Sequence, residues 1–104
     1  MLQVKVKQMI GNSGRPVANQ FIIEEGKNAL SGNCREYFQS YNAVIAFRER
    51  FTPDKRDRQV VLDSDYWDYS RTTLKYLNRF LGTSSKADIQ SRIDSGKYKL
   101  ANLN

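Results

Sequence analysis

The chain has 104 residues, 39% of them hydrophobic and 12% aromatic, which fits one small domain with a single core. Its formal net charge of +6 favours anionic partners by long-range attraction, although a merely basic, water-soluble surface has the same charge balance. The sequence contains no histidine and one cysteine, which excludes Cys/His zinc sites, intramolecular disulfides and histidine-based nucleophilic catalysis.

The hydropathy of the chain predicts a cytoplasmic protein without a membrane partner. No apolar run approaches the roughly 18 residues that a membrane-spanning helix requires. The first residues, from Met1 to Lys5, alternate in polarity and do not form the apolar core of a signal peptide. The single cysteine, Cys34, agrees with a reducing compartment.

The first 25 residues predict a β-hairpin. Leu2, Val4 and Val6 alternate with polar residues, which is typical of a strand that is buried on one face. Residues 11–16 contain two glycines and a proline and therefore favour a turn. The partner strand is predicted over residues 17–25.

The middle of the chain predicts three further strands after a polar surface loop at residues 27–34. Residues 35–50 are rich in strand-forming side chains but too long for one ordinary strand, so we divide them near Tyr41. A short helical turn over residues 41–47 is an alternative that the pattern leaves open. A charged connection at residues 51–58 then leads to a buried strand around Val61.

Two helices are predicted after the strands. Ser70 can cap a helix over residues 71–81, and Gly82 can end it in the left-handed conformation. A shorter helix follows, with a weak capping box that starts at Ser85 and a stop at Gly96.

The order of these elements predicts an α+β fold for a single domain over residues 1–104. In this fold, an antiparallel sheet of about four strands is followed by two helices packed on one face. The tail, residues 97–104, is predicted to be an extended docking segment. An uncovered edge of the sheet leaves a homodimer open as an alternative to a monomer.

Three carboxylates, Asp63, Asp65 and Asp68, are the strongest candidates for a metal site, because oxygen ligands suit magnesium and calcium. Their spacing lacks the glycine and glutamate of a calcium-binding loop, so a strand-to-helix turn with negative charge near a helix N-terminus is the favoured interpretation. We therefore predict a protein with no metal, no cofactor and no enzymatic activity.

Basic residues are the most informative surface feature. Arg71, Lys75 and Arg79 stand at i, i+4 and i+8, so they form a line of cations along the first helix, which we call the basic stripe. A phosphate backbone or an acidic protein surface suits this arrangement, although any solvated face of an amphipathic helix produces the same pattern. A second group of predicted binding residues consists of Arg48, Arg50, Lys55, Arg56 and Arg58, with Trp67 or Tyr69 as the aromatic anchor.

Aromatic residues near the predicted sheet offer a second kind of contact. Tyr37, Tyr41 and Phe47 can stack on nucleobases if they are exposed on a sheet, but packing in the core is the commoner role of such side chains.

Three short motifs carry a resemblance to known proteins: Asn19-Gln20-Phe21, Phe38-Gln39-Ser40-Tyr41 and Trp67-Asp68-Tyr69-Ser70-Arg71-Thr72-Thr73. Together they resemble a family of small uncharacterised proteins from bacteriophages and mobile elements, from about Asn19 onward. The resemblance implies a bacterial host and supplies no activity, cofactor or site residue.

These observations lead to two functional hypotheses. The first is an accessory protein that binds a host protein or ribonucleoprotein complex and inhibits or modulates nucleic-acid handling, as an anti-CRISPR-like inhibitor does. The alternative is direct, largely sequence-nonspecific binding of nucleic acid, for which affinity falls steeply as the salt concentration rises.

Overall fold

The fold is α+β, as the sequence predicts, with one mixed sheet and two helices. It is known from a computed structural model that describes residues 3–26, 33–51 and 57–104, with the backbone alone at positions 3, 33, 34, 50, 51, 57 and 58. The elements in chain order are β1 (Gln3–Ile10), β2 (Pro16–Gly26), β3 (Asn33–Ser40), β4 (Ala43–Phe51), β5 (Asp57–Asp63), α1 (Arg71–Leu81), α2 (Lys86–Asp94) and β6 (Lys99–Ala101).

The sheet is larger than predicted and is not purely antiparallel. Strands β1 to β5 pair with their neighbours in chain order as an antiparallel meander, and β6 then pairs with β5 in parallel. The two helices carry the chain across the sheet between β5 and β6, which allows the parallel pairing. Strand β6 has three residues, too few for an alternating pattern, so the sequence predicts an extended segment without revealing its strand partner.

The division of residues 35–50 into two strands is confirmed, and the helical alternative is wrong. Tyr41 and Asn42 form the turn between β3 and β4, with Tyr41 at a φ of 55°. A register shift between Phe38 and Gln39 interrupts the regular alternation of side chains along the β3–β4 pair. This shift explains why the hydrophobic pattern of the segment is ambiguous between a strand and a helix.

The two helices cover one face of the sheet and create the core. Leu77 of α1 and Ile89 of α2 are fully buried, and the rings of Phe38 and Phe80 stack with centroids 5.8 Å apart. Burying each large apolar side chain contributes roughly 1.5–3 kcal/mol. The strand residues that the register aligns beneath the helices are Ile22, Phe38, Ala46 and Leu62.

The opposite side of the sheet, which we call the open face, has no helix packed on it in the described part of the chain. The register aligns a second apolar row there: Val6, Ile23, Tyr37, Phe47 and Val61. None of these side chains belongs to the cluster beneath the helices; Val6 is 63% exposed, whereas Val61 is buried, at 4% exposed. Tyr37 and Phe47 contact each other with ring centroids 5.7 Å apart.

A small buried polar cluster lies beneath the start of α1. The hydroxyls of Ser40 and Thr73 are hydrogen-bonded at 2.9 Å, and both residues are fully buried. Gln20 lies opposite Ser40 in the β2–β3 pair and is also fully buried. Neither the nitrogen nor the oxygen of its side-chain amide has a hydrogen-bond partner within the described residues. Such an unsatisfied group costs roughly 1–3 kcal/mol.

Replacing Gln20 by leucine is therefore expected to raise the free energy of unfolding by about 1–3 kcal/mol, because an apolar side chain of similar size removes the unpaired amide. Urea denaturation at pH 7 measures the change. The matched control is Gln59→Leu at an exposed position of β5, where the expected change is within about 0.5 kcal/mol. A loss of stability in the Gln20 variant would mean that the amide has a partner in solution.

Candidate functional site

Helix α1 is held at both ends by the predicted capping residues. The side chain of Ser70 accepts a hydrogen bond from the backbone N–H of Thr73 at 3.1 Å. Gly82, at a φ of 76°, donates its backbone N–H to the carbonyl of Asn78. Thr73, Leu77 and Phe80 are the buried residues of the helix, so its opposite side faces solvent.

The basic stripe lies on this solvent-facing side, as the spacing predicts. Arg71, Lys75 and Arg79 are all exposed. Among the described residues, no carboxylate forms an ion pair with any of the three, and the Lys75 ammonium lies 5.3 Å from the ring of Tyr76. The stripe therefore presents three uncompensated positive charges along about 12 Å of helix.

Two of the three charges of the stripe, those of Arg71 and Lys75, bring no stability to α1. Arg71 places a cation in the first turn, next to the positive end of the helix dipole, and α1 contains no acidic residue. Like charges four residues apart cost roughly 0.2–0.5 kcal/mol for each pair. Helix α2 follows the opposite pattern, since Asp88 in its first turn pairs with Arg92 in its last turn at 3.0 Å. Arg79, in the last turn of α1, suits the helix dipole, so it is only for Arg71 and Lys75 that helix stability gives no reason.

A cleft of about 330 Å³ separates the C-terminal end of α1 from β1 and brings three cations together. Lys7 forms an ion pair with Glu24 at 2.6 Å, so its charge is compensated. Arg48 is also paired, and Arg79 supplies the uncompensated charge at this end of the stripe.

Arg48 is a structural residue, which corrects its prediction as a surface binding residue. Its side chain is buried; Nε donates to Glu36 at 3.1 Å and Nη1 donates to the carbonyl of Phe80 at 2.6 Å. The guanidinium also lies 4.3 Å from the centre of the Phe80 ring. Arg48 therefore connects β4 to the end of α1 and is not available to a partner.

The rest of the second basic group lies at the β4–β5 connection. Lys55 and Arg56 lie outside the described residues. Arg50 and Arg58 belong to β4 and β5, where the structure describes the backbone alone. That these four cations bind a partner stays a prediction.

Trp67 is a core residue, which corrects its prediction as an aromatic anchor. It is 5% exposed and packs in the core cluster beneath the helices. Tyr69, the other predicted anchor, is 47% exposed and makes an edge-to-face contact with Tyr66 at 5.5 Å between ring centroids. The exposed aromatic surface next to α1 therefore consists of tyrosines.

A second cleft, also of about 330 Å³, lies at the opposite end of α1 from Arg79. We call it the tyrosine cleft. The sequence does not reveal this cleft, because its lining comes from three separate chain segments and their contact is not encoded by any local spacing. The signal that was present is the pair of tyrosines three residues apart in the β5–α1 turn. The cleft is lined by Tyr41, Asn42, Ala43, Tyr66, Tyr69 and Asn104.

Asp63 organises the turn that carries these tyrosines. Its fully buried carboxylate accepts backbone N–H groups from Asp65 at 3.1 Å, Tyr66 at 2.9 Å and Leu103 at 2.7 Å. Burial alone would raise the pKa of Asp63, but these hydrogen bonds outweigh it and hold the pKa below the ordinary value of 3.8.

The acidic residues of the turn form no metal-binding group. Asp68 pairs with Lys86 at 3.6 Å, and Asp63 is engaged by backbone amides. In the described residues, no three ligands of the His, Cys, Asp and Glu types lie together in a way that would hold a metal ion.

Neither α1 nor α2, the helices of the described chain, has the length and apolar character needed to cross a membrane.

Comparison with known proteins shows the family of the chain. No curated protein and no solved structure matches the chain. A family model matches residues 4–97, a span that contains the basic stripe and the three tyrosines of the cleft. The chain therefore belongs to the family of unknown function DUF8033.

Proposed function

We propose that the chain is a non-enzymatic protein that modulates nucleic-acid handling by binding nucleic acid through the basic stripe. The observation that carries this proposal is the set of three exposed, uncompensated cations on α1. They follow one another at a rise of about 6 Å along the helix axis, so they match a ligand with regularly repeated negative charge. A phosphodiester backbone has this property, and the net charge of +6 adds long-range attraction.

A non-catalytic role is supported by the chemistry of the available side chains. The sequence has no histidine to act as a general base near neutral pH. The buried carboxylate of Asp63 is committed to backbone N–H groups. Contacts of the stripe with phosphates carry no base information, so we propose binding that is largely independent of sequence.

The second candidate function is inhibition of a host protein or ribonucleoprotein complex, in the phage context that the motif resemblance predicts. The exposed tyrosines next to Arg71 favour this candidate, because tyrosine and arginine are enriched at protein interfaces. The uncompensated stripe favours nucleic acid more strongly, since a phosphodiester backbone repeats its negative charge along its whole length, whereas a protein surface does so only where carboxylates are regularly spaced along a helix or strand.

The triple variant Arg71→Ala, Lys75→Ala and Arg79→Ala tests the proposal. Fluorescence anisotropy with labelled single- and double-stranded DNA and RNA, at salt concentrations from 50 to 300 mM, measures affinity and its salt dependence. Loss of three phosphate contacts is expected to reduce the slope of log affinity against log salt by about 2–3 units. A reduction of the slope by this amount means that the triple variant binds roughly a hundredfold more weakly than the wild type near 0.1 M salt.

A variant of equal charge is the control. Arg15→Ala, Lys97→Ala and Lys99→Ala together remove three exposed cations outside α1 and are expected to change affinity much less. The triple stripe variant is expected to be at least as stable as the wild type, because it removes two like-charge pairs from the helix. If both variants weaken binding equally, net charge and not the stripe is responsible. If the wild type binds no nucleic acid, the proposal is wrong.

A further inference from the structure

The tyrosine cleft has the lining of a site for a planar ligand. Tyr41, Tyr66 and Tyr69 are 48%, 40% and 47% exposed, which is unusual for three large aromatic residues around one concave surface. The rings of Tyr66 and Tyr69 are nearly perpendicular, with an interplanar angle of 81°. Its volume of about 330 Å³ is at the lower end of the range for small-molecule pockets. The cleft therefore has room for one planar group among exposed aromatic faces.

Hydrogen bonds hold the first wall of the cleft in place. Tyr41 has a φ of 55°, a conformation that costs a residue other than glycine some backbone energy. Its backbone N–H donates to the carbonyl of Asn19 at 2.7 Å, and its carbonyl accepts from the side chain of Gln39 at 2.8 Å. The turn is therefore fixed with the Tyr41 side chain at the surface.

The other walls are fixed in the same way. Asp63 anchors the backbone of Tyr66, as described above. The side chain of Asn104 both accepts from the N–H and donates to the carbonyl of Val44, each at 2.8 Å, and so joins the C-terminal segment to β4. Three segments are therefore tied together around the tyrosines, which pre-organises the cleft for a ligand.

The charges near the cleft indicate which part of a ligand enters it. Arg71, the first cation of the stripe, lies two residues after Tyr69 in the chain. Asp65 and Asp68 are exposed in the same turn as the tyrosines and disfavour a phosphate there. An uncharged aromatic group in the cleft, attached to phosphates that run toward Arg71, satisfies both conditions.

We propose that the tyrosine cleft stacks a nucleobase of single-stranded nucleic acid whose phosphates lie along the basic stripe. This inference rests on the proposed function and adds the class of nucleic acid. In a duplex, both faces of each base are already stacked, whereas a single strand presents faces that aromatic side chains can cover. The Asn42 side chain, which makes no hydrogen bond within the described residues, lines the cleft and offers an amide to the edge of the base.

The experiment compares a labelled single-stranded DNA of mixed sequence with its duplex, using wild type and the double variant Tyr66→Leu, Tyr69→Leu. Single-strand affinity is expected to fall roughly five- to hundredfold, because stacking of one base contributes in this range. Duplex affinity and both salt slopes are expected to stay unchanged, since no charge is removed. Tyr69→Phe, which keeps the ring, is expected to retain single-strand binding. Val4→Ala, which removes exposed apolar surface from β1 outside the lining of the cleft, is the control.

A measurement on the wild type alone keeps the test valid if the double variant does not fold. Single-stranded DNA with consecutive abasic sites retains its phosphates, and its affinity for the wild type is expected to be lower by a similar factor. If abasic DNA binds as tightly as normal DNA, or the folded leucine variant keeps its single-strand affinity, base stacking in the cleft is excluded while the stripe proposal survives. If the wild type binds no oligonucleotide, the stripe proposal and the base-stacking proposal both fail, and a protein partner becomes the candidate ligand of the tyrosine cleft.

Discussion

Replacing Asp63 by asparagine is expected to lower the free energy of unfolding by about 2–4 kcal/mol at pH 7. The buried carboxylate uses one oxygen for Asp65 and Tyr66 and the other for Leu103. Asparagine keeps one acceptor oxygen and brings N–H donors toward backbone donors, so at least one of the three backbone N–H groups loses its partner. Hydrogen bonds to charged groups contribute roughly 1.5–3 kcal/mol each, which sets the expected size of the loss.

The same substitution is expected to change how stability depends on pH. The pKa of Asp63 lies below its unfolded value in the folded protein, so its contribution is complete above about pH 4 and disappears as the pH falls through the folded pKa. The difference in stability between wild type and Asp63→Asn should therefore shrink as the pH is lowered below 4. Urea denaturation at pH 7, 5 and 3 measures this difference.

Asp65→Asn is the control for Asp63, because its side chain is exposed two residues away in the same turn. Its expected effect at pH 7 is within about 0.5 kcal/mol. A variant of Asp63 that is as stable as this control would mean that the three amides find other partners.

The hydrogen bonds of Asp63 also explain the acidic cluster in the sequence. Asp63 holds the strand-to-helix turn and the C-terminal segment together, and the surrounding carboxylates are on the surface.

Local sequence signals account for the parts of the fold that could be predicted. Helix α1 has the predicted bounds, because Ser70 and Gly82 encode both of its ends within a few residues. The β1–β2 hairpin was predictable for the same reason, since its turn contains two glycines and Pro16 begins the second strand. Strand β6 was not predictable, because its pairing with β5 depends on where the chain lies after the two intervening helices.

In the candidate site, too, the features set by local spacing could be predicted, and those set by contacts between distant segments could not. Exposure of the basic stripe followed from helical spacing, which separates it from the buried side of α1. Burial of Arg48 and Trp67 could not be seen from composition: a guanidinium is buried here because Glu36 and the Phe80 carbonyl lie within reach, and both come from distant segments. The tyrosine cleft depends on three tertiary connections and had no signature beyond its residue types.

Replacing Phe38 by alanine is expected to lower the free energy of unfolding by about 3–5 kcal/mol, because the side chain is fully buried and stacks on Phe80 under the helices. Phe47→Ala, at an aromatic position on the open face, is expected to cost about 1–2 kcal/mol, since its ring is half-buried and its contacts are with Tyr37 and Arg35. Urea denaturation measures both, and Phe38→Leu is a milder core variant if alanine prevents folding.

The comparison between the two phenylalanines tests whether the sheet has one covered face in solution. Within the described residues no helix covers the open face, so truncating Phe47 is expected to remove contacts within one sheet layer only. If Phe47→Ala costs as much as Phe38→Ala, something beyond the described residues covers the open face, and a second copy of the chain is the candidate. Sedimentation equilibrium decides between these outcomes: a monomer is expected when the two costs differ, and a dimer that Phe47→Ala dissociates is expected when they are equal.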